Sequence, residues 1–449
     1  MINDVAPGAP TDDDAVAALV ALVRIPTVSV GGEPSTGVPF TDFLAEHARR
    51  FPLMHARLDL TLLEGTAMLF HWRGASSERP VVLMAHLDVV GVEEADPWRH
   101  PAFSAEISDG EIWGRGTLDD KGSLAALCVA VERLLARGVT PAQDVWLSFG
   151  NGEEVSGAAA SAAVEQLRTT GVRPWFVLDE GGAVAARAFP GVSRPLAVIG
   201  VAEKGTTTVE LTVAGRGGHS STPARGDAVA RLARAIVRLD RYSFPASLPA
   251  PTIEMLTRLA PHAAPAMRPV LSRTGRFGGA ITKALQAAGP ESAAMTRTTA
   301  VVTTLAGSPG HNVLASVARA GVNLRIMVGD TVAGTVERIR RVIGDDRVRI
   351  TVIDANEPSP ISPWDDDAFR LIETVIAGSH PDAIPTPYVM MGGTDARFFT
   401  TICPRVYRFA PLRMSKEQRA SIHAYDERVG VRDYLDGIGF YVDLIERIG

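Results

Sequence analysis

Continuous apolar runs and alternating ones occupy different parts of this chain. "PVVLMAHLDVV", "DVWLSFG" and "PWFVLDE" read as strands buried on both faces. Ahead of them, "DDDAVAALVALVRI" sets Asp residues at a helix start and apolar residues at helical spacing. "SLAALCVAVERLLARG" reads as a helix with Leu124, Leu127, Cys128, Val131, Leu134 and Leu135 on one face, closed by Gly138. Buried strands that alternate with helices predict an α/β domain with a mostly parallel central sheet.

Near residue 205 the period changes. "TVELTVAG" sets Val209, Leu211 and Val213 against Thr208, Glu210 and Thr212. "VNLRIMVGD" alternates through Val322, Leu324, Ile326 and Val328, and "RVRITVID" does so more weakly. Such strands keep one face on a core and one in water, as in antiparallel sheets. The helical patterns "DAVARLARAIVRL" and "TVAGTVERIRRVIG" lie between them. This predicts an α+β insert of roughly 150 residues, a size typical of a small domain. Within it, residues 243–298 are rich in proline and alanine and read as an elaboration with short helices. After "EPSPISPWDDD" the helix and strand alternation resumes. The expected division is 1–204 and 357–449 for the interrupted α/β domain, and 205–356 for the insert.

The bulk composition narrows the partners. With 46% hydrophobic and 21% charged residues over 449 positions, the chain is ordinary for a soluble protein of two domains. Its net charge is −6 and it has no long Lys/Arg block, which argues against a nucleic-acid surface. "MINDVAPGAPTDDD" lacks a basic region followed by an apolar one. No apolar run approaches the roughly 20 residues that span a bilayer. Cys128 and Cys403 have apolar neighbours and no CxxC spacing, so they read as core thiols in a reducing cytoplasm.

Candidate chemistry collects where the buried strands end. One ends in His86 and Asp88, one in Glu153 and Glu154, and one in Asp179 and Glu180. Ligands bind at the carboxyl ends of strands in open α/β sheets. Carboxylates this close repel unless a cation sits among them. Carboxylates with histidines suit zinc or a similar transition metal. In "AHLD" the i, i+2 spacing lets His86 bind a metal while Asp88 accepts from its other ring nitrogen. A strand-end His with an Asp cap reads equally well. In "WGRGTLDDKGS", Asp119 or Asp120 either caps the helix near Ser123 or bridges two metals from a glycine-bounded turn.

Taken in order, "AHLDVV", "GRGTLDDKG", "GEEVSG", "LDEGG", "GRGGHSSTP", "GGTDAR" and "IHAYDE" resemble the M20 family of metallopeptidases and amidohydrolases. "SFGNGEEVSG", "VLDEGG" and the insert with "LAPH" look most like its carboxypeptidase S and N-acyl-amino-acid hydrolase branch. The resemblance implies a zinc-peptidase-like catalytic domain, interrupted by a ferredoxin-like lid that often forms a homodimer. It implies two zinc ions per subunit, with Co2+ or Mn2+ as substitutes. Asp119 would bridge them, His86 and Asp179 would complete one site, and Glu154 and His423 the other. Glu153 would be the general base, taking a proton from a metal-bridging water and passing it to the leaving amine. Asp88 would orient His86. His219 would stabilise the oxyanion, often from the partner subunit. Asn312 and Arg325 would hold the substrate's carboxylate, for which an arginine fork is well shaped. Gly393, Thr394 and Arg397 would line the pocket; a turn closed by an Asp–Arg pair is the rival reading.

Two positions depart from the family pattern. Gly152 stands where an Asp is usual, and Ala424 follows His423 where a glycine is common. The implied activity is zinc-dependent hydrolysis of small peptides or N-acyl amino acids with a free carboxylate. Its rivals are a metal-bound binding protein on the same fold, a deacylase of a biosynthetic amino-acid intermediate, and a two-metal phosphoesterase. The last is disfavoured because no phosphate-cradling glycine motif or basic cluster is present.

Overall fold

The computed structural model describes residues 8–31, 35–93, 95–155, 157–223 and 225–449. The first seven residues, and Ser156 of "GEEVSG", lie outside them.

The run "PVVLMAH" becomes the inner part of the strand Ser76–His86, buried from Pro80 onward. It stands between two parallel partners, Gln143–Gly150 and Phe176–Asp179. Val406–Arg408 runs parallel beside the latter. These four are the middle of a ten-stranded sheet. Towards both edges antiparallel pairs enter, though Ile384–Met390 runs parallel to Leu196–Glu203 and Arg413–Met414 parallel to Ala183–Ala185. Asp59–Leu63 and Ala67–Trp72 form a hairpin against Gln143–Gly150. On the other side Leu196–Glu203 runs against Val406–Arg408 and Ala183–Ala185. The sheet is therefore mixed, and the expected parallel order holds for its middle.

Alternate residues of the central strands enter different cores. Val81, Leu83 and Ala85 pack on one face, and Val82 and Met84 on the other. Helix Lys121–Ala136 lies on the first face and is buried around nearly its whole surface, Ala125, Ala126, Val129 and Ala130 included. The single apolar face read from sequence understates this, because helices Asp12–Val23 and Val431–Glu446 cover its outer side. Helix Ala158–Thr169 covers the second face through Ala160, Ala163 and Val164.

The insert folds as a four-stranded antiparallel sheet, in the order Thr299–Ala306, Val317–Ile326, Gly205–Ala214, Val348–Ala355. Helices Ala228–Asp240 and Val332–Ile343 close one face over Val209, Leu211, Val213, Val322 and Leu324. The chain order is strand, helix, strand, strand, helix, strand. The elaboration leaves this core. Met255, Leu256 and Leu259 of helix Ala250–Leu259, with Ile281 and Leu285 of helix Thr274–Ala288, pack on Phe189, Val192, Leu196 and Ile384 of the large sheet's side. Residues 205–356 thus serve two cores. Among the described residues, no helix is long and apolar enough to cross a membrane.

Candidate active site

The strand Ser76–His86 delivers His86 to the carboxyl edge of the sheet, 2% exposed. Its Nε2 lies 2.9 Å from Asp119 Oδ1. The other oxygen of Asp119 lies 2.9 Å from His423 Nε2, which also reaches Glu154 Oε2 at 3.2 Å. Asp119 therefore sits between two histidines brought from distant parts of the chain. The helix after it starts at Lys121, and Asp120 at its cap position makes no capping hydrogen bond. The capping role weighed for these aspartates is absent. Lys121 instead donates to the carbonyls of Leu22 and Ile25, at 3.1 and 2.6 Å, fixing the helix start.

Three groups of side chains converge closely enough to share a metal ion: His86 with Glu153 and Glu154, His86 with Asp119 and Glu180, and Asp119 with Glu154 and His423. Asp179 joins none of them among the described residues. Its Oδ2 accepts the Ala396 N–H at 2.8 Å. The next residue, Glu180, follows the strand's last residue and reaches His86 and Asp119. The sequence expectation set Asp179 at this position; among the described residues Glu180 is the one within reach of His86 and Asp119.

The charges perturb one another. Burial opposes a charge on His86, but Asp119 and Asp88 raise its pKa well above the usual value. Hydrogen bonds to Asp119 and Glu154 lift His423 to about 10. Burial would raise Asp119, yet bonds from His423 and His86 hold it below the carboxylate range. Burial pushes Glu153 well up, and the charges of Asp395, Asp119 and Glu154 add to this. Glu154 Oε1 is buried with no hydrogen-bond partner.

Asp88 does more than orient a histidine. The acceptor nearest His86 Nδ1 is its carbonyl oxygen, at 3.0 Å, with the carboxylate at 3.5 Å. The carboxylate accepts the backbone N–H groups of Glu153 and Glu154, at 3.2 and 3.3 Å, and the hydroxyl of Ser29 at 2.7 Å. Ser29 carried no signal in the sequence.

The lid residues fall at two ends of one sheet. Arg325 pairs in register with Thr206 and Thr299 at the end nearest the large domain. A methyl placed at Gly393 would meet Thr206 at 3.7 Å, so the 393–397 loop abuts this end. Thr394 is 1% exposed, and its N–H and hydroxyl both bond Glu203, at 2.8 and 3.3 Å. These bonds brace the loop against Glu203. Arg397 donates to Thr394 O at 3.0 Å. His219 pairs with Val313, and Ser220 N–H bonds Asn312 O at 3.1 Å, which sets His219 beside Asn312, both exposed. They lie beyond Ala214, the far end of the strand Gly205–Ala214. At about 3.3 Å per residue that is roughly 30 Å from Arg325. His219 Nδ1 accepts the Ser221 N–H at 3.2 Å and lies 2.7 Å from the Ser221 hydroxyl.

The comparisons decide what this constellation belongs to. The model of peptidase family M20/M25/M40 matches residues 82–447. The chain is a member of peptidase family M20.

Among M20 relatives, it is 34% identical to the human N-fatty-acyl-amino acid synthase/hydrolase PM20D1, over 96% of this chain and 86% of that protein. It is 33% identical to a probable carboxypeptidase S-like 2 of Dictyostelium discoideum, over 88% of this chain and 77% of that one. Its fold resembles human carnosine dipeptidase 1, with a TM-score of 0.69 at 16% identity, covering 97% of this chain and 96% of that one. An M20 metallo-carboxypeptidase of Sulfolobus solfataricus gives 0.68 at 17%, covering 96% and 98%. M20 metallopeptidases use metal ions, and the three groups around Asp119 are where this member could hold them.

Proposed function

We propose that this M20 member is a zinc-dependent hydrolase of amide bonds in small substrates that end in a free carboxylate. Peptides and N-acyl amino acids both have that form. The observation that carries the reading is Asp119 between His86 and His423, with Glu153 in the same cluster.

The residues fit two zinc ions. Asp119 would serve both, His86 and Glu180 one, and Glu154 and His423 the other. The nitrogen and oxygen donors suit zinc, with Co2+ or Mn2+ as substitutes. Cations also account for the unpartnered Glu154 oxygen and the crowding of buried carboxylates. Bound there, the metals supply Lewis acidity that activates a water and polarises the scissile carbonyl.

The chain's own residues do the rest. Glu153 takes the proton from the water and returns it to the leaving amine. Asp88 keeps the adjacent glutamates in place through their N–H groups. Arg325 takes the substrate's carboxylate, and the 393–397 loop backs it. The lid has the strand order of a ferredoxin-like domain. Its tip carries His219 and Asn312 too far from Arg325 to meet the same small substrate, so a second subunit supplies them in a homodimer. Two free, buried cysteines accord with a cytoplasmic enzyme.

The test is a hydrolysis screen of zinc-loaded protein on dipeptides and on N-acetyl and long-chain N-acyl amino acids, with a chelated sample alongside. Amino-acid release that stops on chelation supports the reading, and the best substrate names the acyl side. No release from any of them, with metal bound, overturns it.

A further inference from the structure

The motif "IHAYDE" ends in Glu427, to which the cluster and the lid give no role. Its carboxylate is fully buried. One oxygen accepts three backbone N–H groups of a single loop, those of Gly116, Leu118 and Asp119, at 3.0, 2.8 and 3.2 Å. The other accepts Arg115 Nη1 at 2.6 Å. Arg115 then reaches across with Nη2 to Ala424 O at 2.7 Å, next to His423. Gly114 N–H closes the clasp on Glu427 O at 2.9 Å. The loops so joined lie 308 residues apart in sequence at Asp119 and Glu427. They present the two side chains, Asp119 and His423, that meet at 2.9 Å.

An ion pair kept for stability alone needs only Arg115. Three amides from the loop that carries Asp119, all on one oxygen, fix that loop's backbone relative to the turn of His423. That turn holds His423 at φ +60°, in the left-handed region that non-glycine residues enter uncommonly. We propose that Glu427 is a positioning residue that sets the placement of Asp119 relative to His423, and with it the metal affinity of the site. This rests on the metal reading above.

Zinc affinity by chelator competition tests it, alongside far-UV circular dichroism and melting of the metal-free protein. The set is wild type, Glu427→Gln, and the double variant Arg115→Met/Glu427→Gln. Glu427→Gln should keep its secondary structure, bind zinc at least about tenfold more weakly, and lose kcat with KM unchanged. The double variant removes the stranded guanidinium. It should melt closer to wild type without regaining zinc affinity. Wild-type zinc affinity in either folded variant overturns the proposal, and if the single variant does not fold, the double variant decides. Wild-type protein that takes up no zinc overturns the metal reading itself, and this role with it.

Discussion

Glu153 and Glu154 are neighbours in sequence to which the proposed reaction gives separate tasks. The variant Glu153→Ala should keep its metal and lose at least about two orders of magnitude in rate, as removal of a general base does; metal analysis with steady-state kinetics checks both. Glu180→Gln should lose one of two metals. Asp179→Asn should keep both, because an amide oxygen still accepts the Ala396 N–H; metal content of the two variants compares them. His423 adds a pH signature. Its pKa of about 10 in the metal-free protein means that it enters neutral solution protonated and must lose that proton to bind a metal. Zinc uptake near pH 7 should release protons, and affinity should rise with pH; calorimetry in buffers of different ionisation enthalpy measures this. In the metal-free protein the sign for stability is opposite. The raised pKa stabilises fully below about 6.5 and that contribution fades as pH rises through about 10. His86, Glu153 and Glu154 stood out in the sequence because a strand end is visible as the end of an apolar run, and Asp119 because glycines bound its turn before a helix. The sequence hid Ser29 and Glu427, whose partners lie 59 and more than 300 positions away.

Elements were legible where their pattern was long. The strands Gly205–Ala214 and Val317–Ile326 alternate over ten residues and were read with the right buried faces; Thr299–Ala306, with no buried residue, was not read. Ala183–Ala185 and Arg413–Met414 are too short to show any period; the first pairs antiparallel with Leu196–Glu203 and parallel with the second, so this flank is mixed. The 243–298 elaboration carries helical signals but nothing local that says which core it joins. One contact at the site's edge shows how tightly elements are fitted. A Cβ at Gly122, in the first turn of Lys121–Ala136, would lie 2.1 Å from Thr117 O, in the loop that carries Asp119. Gly122→Ala should cost about 1–3 kcal/mol by overpacking, read from the denaturation midpoint, and should weaken metal binding as the loop shifts.

At the scale of the molecule, the distance between Arg325 and the lid tip turns a dimer into a requirement of the proposed chemistry. Glu153→Ala and His219→Ala chains should each be inactive alone. Mixed and refolded together in equal amounts, they should recover roughly a quarter of wild-type activity, since half the dimers are mixed and each has one intact site. No recovery, with exchange of chains shown by mass, would return His219 to its own subunit or to no role. The lid's attachments also set how it can move. The strands Gly205–Ala214 and Thr299–Ala306 begin, and Val348–Ala355 ends, at the same end of its sheet, where Lys204 bonds Ala294 O and Arg297 O at 2.6 and 2.7 Å. These joints stand in a row across the sheet, like the leaves of a piano hinge. Such a mounting leaves one axis free and resists twist. With an arm of roughly 30 Å, a swing of about 10° carries the tip about 5 Å, so in the proposed reaction a small rotation at the joints would be enough to admit or enclose a small substrate.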